Sequence, residues 1–292
     1  MSSKLDIYTT KRRGRFSNFL FTSVCFLATM TCVLMLFVLI WNLILQGKDW
    51  LSWDFVERFP SRFPVKAGIK SALWGSIWLI SLTALFSVPL GVGAAVYLEE
   101  YAPKSRWRKL IQLNISNLAG VPSIVYGILG LALFVRALAL ERSVLSGALT
   151  LTLVVLPIII LASQEALRSV PDSIRRSAYA LGATRWQTVW YQVLPASLPG
   201  IMTGVILSLS RALGEAAPLI AVGAMAYVPF VPEKLTDEFT ALPIQIFNWT
   251  ARPQEDFHHL AAAGILVLLI VLVSMNAIAV FVRHKYGKKI RW

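Results

Sequence analysis

Long apolar runs, broken by short polar and basic segments, set the pattern of this 292-residue chain. Six runs stand out, at about 18–45, 72–98, 111–139, 144–168, 196–226 and 259–283. They are long enough to supply the ~20 apolar residues that a helix needs to cross a hydrocarbon core ~30 Å thick. A spanning segment must satisfy its own backbone N–H and C=O groups, and for continuous runs of this kind only the helix does so. The pattern predicts an all-α polytopic membrane protein with six transmembrane helices. It divides into a basic tail with the first span (1–45), a membrane domain (70–283) and a second basic tail (284–292). A hydrophobic content of 57% and a mean hydropathy of +0.65 exclude an ordinary soluble domain.

In a soluble protein the net charge of +13 would point to nucleic acid. Its distribution excludes that partner. The N-terminus, the segments near 99–110 and 164–195, and the C-terminus carry 18 of the 28 Lys and Arg but only 5 of the 15 Asp and Glu. The loops between them carry nine of each sign, and Arg211 offsets Glu215. The positive-inside rule makes the basic face cytoplasmic and places both termini there. Lys11-Arg12-Arg13-Gly14-Arg15 precedes an apolar run that is too long for a signal peptide. Trp41-Asn42 offers no small-residue cleavage site, so the first span is expected to stay uncleaved. Cys25 and Cys32, seven apart on one face of that span, read as packing residues rather than a disulfide or metal pair.

Polar residues inside the runs carry the candidate chemistry. The third run is interrupted by Asn114, Asn117, Gly120, Pro122 and Ser123. Proline removes a donor and frees a carbonyl, which predicts a kink or a broken helix. Such a break either lines a substrate path, with Ser123 among the lining residues, or is a packed proline kink. The fifth run contains Gly200-x-x-x-Gly204, a spacing that permits close helix contact, and then Arg211 and Glu215. These two are four apart on one helical face and can pair. An intramembrane charge costs roughly 2.5–3.5 kcal/mol on insertion scales, so the pair marks either an ion path or an interhelical clamp. Ser208, three residues before Arg211, adds a hydroxyl to the same face. A guanidinium fork with hydroxyls suits a tetrahedral oxyanion.

Between the fourth and fifth runs, residues 172–192 are amphipathic and basic. Asp172 is expected to cap a short helix ending near Leu181, and Gly182 to close it in a left-handed conformation. This segment is either a solvated basic loop or a knob that docks on a soluble partner. The stretch 227–258 reads as a long outer loop. With residues 46–70 it offers aromatics and charges for contact with a protein outside the membrane. His258-His259 point apart on a helix, which argues against metal ligation. Neither a Walker-type phosphate loop nor an HExxH motif occurs. Glu215 is the one acid deep in a run, so paired carboxylates for membrane-embedded catalysis are missing.

The run AYALGATRWQTVWYQVLP resembles the cytoplasmic coupling motif of ABC-importer permeases, matching at Ala178, Leu181, Gly182, Leu194 and Pro195. Arg176 and Ser177 stand where that family usually has Glu-Ala, and Gln192 where an aliphatic residue is usual. LAGVPSIVYG (118–127), SRALGEAAPL (210–219) and TALPIQIFNW (240–249) narrow the resemblance to the PstA-type permeases of bacterial phosphate importers, over roughly residues 70–283. It implies a type I permease fold in the bacterial inner membrane and a coupling loop over 170–195. The implied partners are a second, related permease, two ATPase subunits that use ATP and Mg, and an external phosphate-binding protein. No cofactor would belong to this chain. Permeases for sulfate or molybdate share the coupling loop and form the alternative.

Overall fold

Each apolar run carries helix, and two of the six are broken. The computed structural model describes residues 3–225 and 227–287. Residues 288–292 of the second basic tail and position 226 of the fifth run fall outside the described residues. The first helix, α1 (Ser3–Gly47), is followed by the short α2 (Trp53–Glu57) and by α3 (Lys70–Val96), which runs on as a π-helical turn over Tyr97–Tyr101. Next come α4 (Arg106–Ala119) and α5 (Ser123–Gly130), the latter extended by a π-helical segment, Leu131–Ala137. The remainder is α6 (Val144–Arg168), α7 (Asp172–Ala180), α8 (Arg185–Thr188), α9 (Leu194–Gly214), α10 (Ala217–Val222), α11 (Leu242–Thr250) and α12 (Glu255–Gly287).

Burial ranks the spans. Two-thirds of the most apolar window of α6 is covered by the rest of the chain, against none of that of α1. Around α6, Leu79 and Leu82 of α3 pack with Val144, Ala148 and Leu151, and Leu219 of α10 joins them. Toward the basic end, Ala95 and Leu98 meet Ile160, Leu167, Val170 and Val193. The opposite flank of α6 receives α9 through the Gly-x-x-x-Gly pair: a Cβ at Gly200 would lie 2.8 Å from the Ala166 Cβ, and one at Gly204 would collide with Ala162. That spacing is therefore an intrachain helix contact, with small residues letting the backbones approach. In α1, Gly47 abuts Ala262 and Ala263 of α12, while its apolar side chains from Phe19 to Leu39 stay largely exposed. Cys25 and Cys32 are exposed, free thiols on that helix rather than packed residues.

The break expected in the third run is present: α4 and the helix Ser123–Ala137 meet at 102° across Gly120-Val121-Pro122. At 1.5 Å per residue each limb is only about 20 Å long, short of the membrane thickness. The Tyr126 hydroxyl donates to the Leu118 carbonyl at 2.7 Å, satisfying a backbone acceptor at the break. The fifth run ends as a helix at Gly214; Glu215 is extended, and α10 closes at Gly223 with φ +97°. At the other end, α9 does not begin after the coupling loop. Arg185 to Gly214 is one continuous helical span of 30 residues that includes the π-helical turn Val189–Val193. Leu194 and Pro195, expected to close the loop, lie inside that span.

The stretch 227–258 is also not a free loop. Helix α11 tucks against α12 and α3, burying Leu242, Trp249, Phe239 and Phe257. The Leu242 amide donates to Ser76 Oγ of α3 at 2.8 Å. Tyr227, Phe230 and Phe247 remain exposed. Asp237 accepts the backbone N–H groups of Glu233 and Lys234, each at 2.9 Å. Those bonds hold its carboxyl below the ordinary value. It is a turn-forming residue rather than a free docking charge.

Candidate functional site

Two groups of residues sit on the continuous span Arg185–Gly214, one at each end. At the basic end α7 leaves α6 through Ser169-Val170-Pro171. Pro171 is the N-cap residue, and Asp172 occupies the first helical position without capping, which corrects the expected role. Its carboxylate instead lies 3.4 Å from Arg175 Nη1. Gly182 closes α7 with φ +80°, as its place after the last apolar residue predicts, and nothing lies within 4 Å of a Cβ built on it. The Gly182 amide donates to the Tyr179 carbonyl at 3.0 Å, and the Ala183 amide to Ala178 at 3.0 Å. These bonds hold Leu181 out at the tip of the hairpin. Thr184 then starts α8 with a capping box shared with Gln187.

An ion-pair network that the residue pattern does not announce fixes this hairpin to the membrane domain. Arg175 Nη2 donates to Glu100 Oε1 at 2.6 Å and to the Leu167 carbonyl at 3.0 Å. Its Nη1 donates to the Val170 carbonyl at 2.7 Å. One guanidinium thus serves the carboxylate at the end of α3 and two carbonyls around the C-terminus of α6, where backbone acceptors lack partners. The Glu100 and Arg175 side chains are only 8% and 17% exposed. Burial disfavours the charge on Arg175, but the hydrogen bond and charge of Glu100 outweigh it, so its pKa is raised above the ordinary value. Glu99 binds Arg108 at 3.1 Å and Arg168 at 2.6 Å. Glu99, Glu100, Arg168 and Arg175, with Asp172 and Arg185, line a cavity of about 330 Å³. On the neighbouring face of α6, Gln164 and Gln112 of α4 exchange two amide hydrogen bonds at 2.8 and 2.9 Å.

At the far end of the span, Arg211 occupies the last turn of α9. Its Nε donates to Glu215 Oε1 at 3.1 Å, so the expected i, i+4 pair forms although Glu215 itself is beyond the helix. The Arg211 side chain is 54% exposed and that of Glu215 17%. Among the described residues neither Nη group of Arg211 has a protein partner. Ser208 does not join them as a free donor. It is buried, and its hydroxyl donates to the Gly204 carbonyl at 2.8 Å. A hydroxyl in apolar surroundings bonds back to its own helix in this way. Ser210 likewise bonds the Ile206 carbonyl at 2.7 Å and touches the Asn276 side chain of α12. Ser123 opens α5 directly after the bend and is half-exposed. One turn further on, Gly127 abuts Pro218 and Ala221, so α5 packs on the short helix that follows Glu215.

A cavity of about 830 Å³ lies elsewhere. It lies between α3, α9 and α12 and is lined mainly by apolar side chains such as Val92, Val96, Ile201 and Val205. An unsolvated oxyanion would find few donors there. The histidines also stay apart: His258 Nε2 faces the Arg252 carbonyl at 2.9 Å and His259 Nδ1 the Gln46 carbonyl at 3.2 Å.

Residues 87–291 match the family described as binding-protein-dependent transport system inner membrane component. This covers both ends of the span and the hairpin between α6 and α9. The chain belongs to that family. Among such inner membrane components, it is similar to the phosphate transport system permease protein PstA 1 of Mycobacterium tuberculosis (strain CDC 1551 / Oshkosh). That pair is 31% identical over 278 residues, covering 93% of this chain and 90% of the relative. It is also 33% identical to the phosphate transport system permease protein PstA of Yersinia pestis over 270 residues, covering 89% of each. The fold is that of type I ABC-importer permeases. A chain of a bacterial alginate ABC transporter, solved with its pentasaccharide-bound periplasmic protein, superposes with a TM-score of 0.66. It is 16% identical, over 89% of this chain and 92% of that one. A chain of the inward-facing MetNI methionine ABC transporter gives 0.62 at 17% identity, covering 74% and 94%.

Proposed function

We propose that this chain is the transmembrane permease subunit of an ATP-driven importer of inorganic phosphate. It forms half of a translocation pathway whose other half is a second, related permease. The observation that carries the reading is the arrangement of the span Arg185–Gly214, with an exposed hairpin at one end and a guanidinium with free Nη groups at the other. The phosphate permeases to which the chain is about one-third identical supply the substrate. Arg211 lines the anion path, and Glu215 orients its fork while keeping the site short of tight binding. Ser123 stands on the neighbouring α5, whereas Ser208 supports the helix from inside. ATP and Mg act on separate ATPase subunits, which receive the hairpin through Ala178, Leu181 and Gly182. With the basic face cytoplasmic, Tyr227, Phe230 and Phe247 face outward, where a phosphate-binding protein delivers its ion.

Uptake of radiolabelled phosphate into vesicles holding the reconstituted importer tests this reading. ATP-dependent uptake that unlabelled phosphate suppresses, and sulfate or molybdate does not, is the expected outcome. Suppression by sulfate or molybdate at equal concentration would assign the chain to another oxyanion. Within the same complex, Gly182→Val should uncouple hydrolysis from uptake without lowering membrane insertion. The space around Gly182 is open, so the cost is conformational, about 1–2 kcal/mol for a residue with a Cβ in the left-handed region. Coupling ratios equal to wild type would remove the hairpin from the transmission path.

A further inference from the structure

The hairpin tip carries a charge pattern as well as an exposed apolar residue. Leu181 is 89% exposed, more than any other large apolar side chain among the described residues. It is held there by the left-handed turn at Gly182 rather than by a flexible loop. On the outward face of α7, Arg176 is exposed and has no ion-pair or hydrogen-bond partner among the described residues. The neighbouring cations are already engaged. Arg175 is spent on Glu100, Leu167 and Val170, and the Arg185 guanidinium lies 5.4 Å over the Tyr101 ring. Asp172, one turn before Arg176 on the same face, is partly offset by Arg175. The crest therefore reads, from base to tip, as a compensated acid, a free guanidinium and a bare leucine.

We propose that this crest is recognised by a groove on the ATPase subunit that has an apolar floor for Leu181 and a carboxylate on its rim for Arg176. The inference rests on the docking reading above and adds a charge specificity to it. An exposed apolar residue beside an unpaired cation is complementary to a pocket rimmed by acid, and such pairs set partner choice and encounter rate more than total affinity. An anionic membrane surface fits the crest less well, because Asp172 would face the same headgroups. With a free positive charge at Arg176, this importer and its ATPase form a pair that a subunit with a basic rim would not enter.

Retention of the ATPase subunit on the purified full complex, in detergent and in nanodiscs of neutral or anionic lipid, tests the proposal. Arg176→Glu should reduce retained ATPase by about tenfold, and Arg176→Gln by roughly threefold, with both effects shrinking as salt rises. Leu181→Asp should abolish retention. Neither side chain supports the fold, so the three variants insert normally. If Arg176→Glu retains as much ATPase as wild type, or more, while Leu181→Asp loses it, docking stands and the acidic rim is wrong. If Leu181→Asp retains the ATPase, docking itself fails. A loss seen only in anionic nanodiscs would assign Arg176 to headgroups and overturn the proposal.

Discussion

Glu100→Gln should release the hairpin that carries α7 from the membrane domain while leaving the spans folded. The substitution keeps the shape of the side chain but strips the charge from the partner of a guanidinium that is itself largely buried. Removing one member of a buried pair typically costs about 3–5 kcal/mol, because the remaining charge is left uncompensated. Arg175 keeps the carbonyls of Leu167 and Val170 and the nearby Asp172, which favours the low end of that range. Amide exchange over residues 172–182 should then accelerate by roughly a hundredfold, the factor that about 3 kcal/mol of local stability represents. The double variant Glu100→Gln with Arg175→Met carries no orphaned charge and should recover most of the protection. If exchange in the single variant stays within about twofold of wild type, the ion pair is not what holds α7, and the apolar contacts of Ile174 carry it instead.

Arg211→Gln should abolish phosphate uptake while the importer remains assembled. The guanidinium spends only its Nε on Glu215, and glutamine can supply neither the charge nor a two-pronged fork to an oxyanion. Arg211→Lys keeps the charge without the fork and should retain a few per cent of the rate, about a tenth at best. Assembly is expected to survive because the side chain is more than half exposed and bonds to no neighbouring helix among the described residues. Uptake near the wild-type rate in the glutamine variant would take Arg211 out of the pathway. Disassembly of the complex would make it a clamp, one whose partner lies on another subunit.

What could be read from the sequence follows from which constraints are local. The spans were legible because lipid forces each to be apolar and to satisfy its own backbone. The left-handed turn at Gly182 and the break at Pro122 were legible because single residues encode them. The right angle at Pro122 was not, since proline ends a helix without setting the direction of the next one. Glu100 and Arg175 are 75 residues apart, and each alone reads as ordinary interfacial charge. The stretch 227–258 misled because its acids and turn residues outweigh α11 in any composition count. Its Phe239 and Trp249 resemble interface aromatics until the fold buries them. Ser208 shares a helical face with Arg211 by spacing, yet its hydroxyl is turned to its own backbone, and spacing does not report that choice.

Because Arg185 to Gly214 forms one continuous helical span, the base of the hairpin and Arg211 belong to a single lever. Its fulcrum is the contact of Gly200 and Gly204 with Ala166 and Ala162, where small residues let α9 approach α6 closely. From Trp186 to Gly204 the arm is about 27 Å, and from Gly204 to Arg211 about 10 Å, at 1.5 Å per residue. Tilting about that contact moves the two ends in opposite senses and scales the motion down, so a swing of about 3 Å at the hairpin becomes about 1 Å at Arg211. A reduction gear of this kind trades distance for force. On the proposed function, large, soft movements of an ATPase subunit at the hairpin would arrive at Arg211 as a small, stiff displacement, about the size needed to make or break a hydrogen bond.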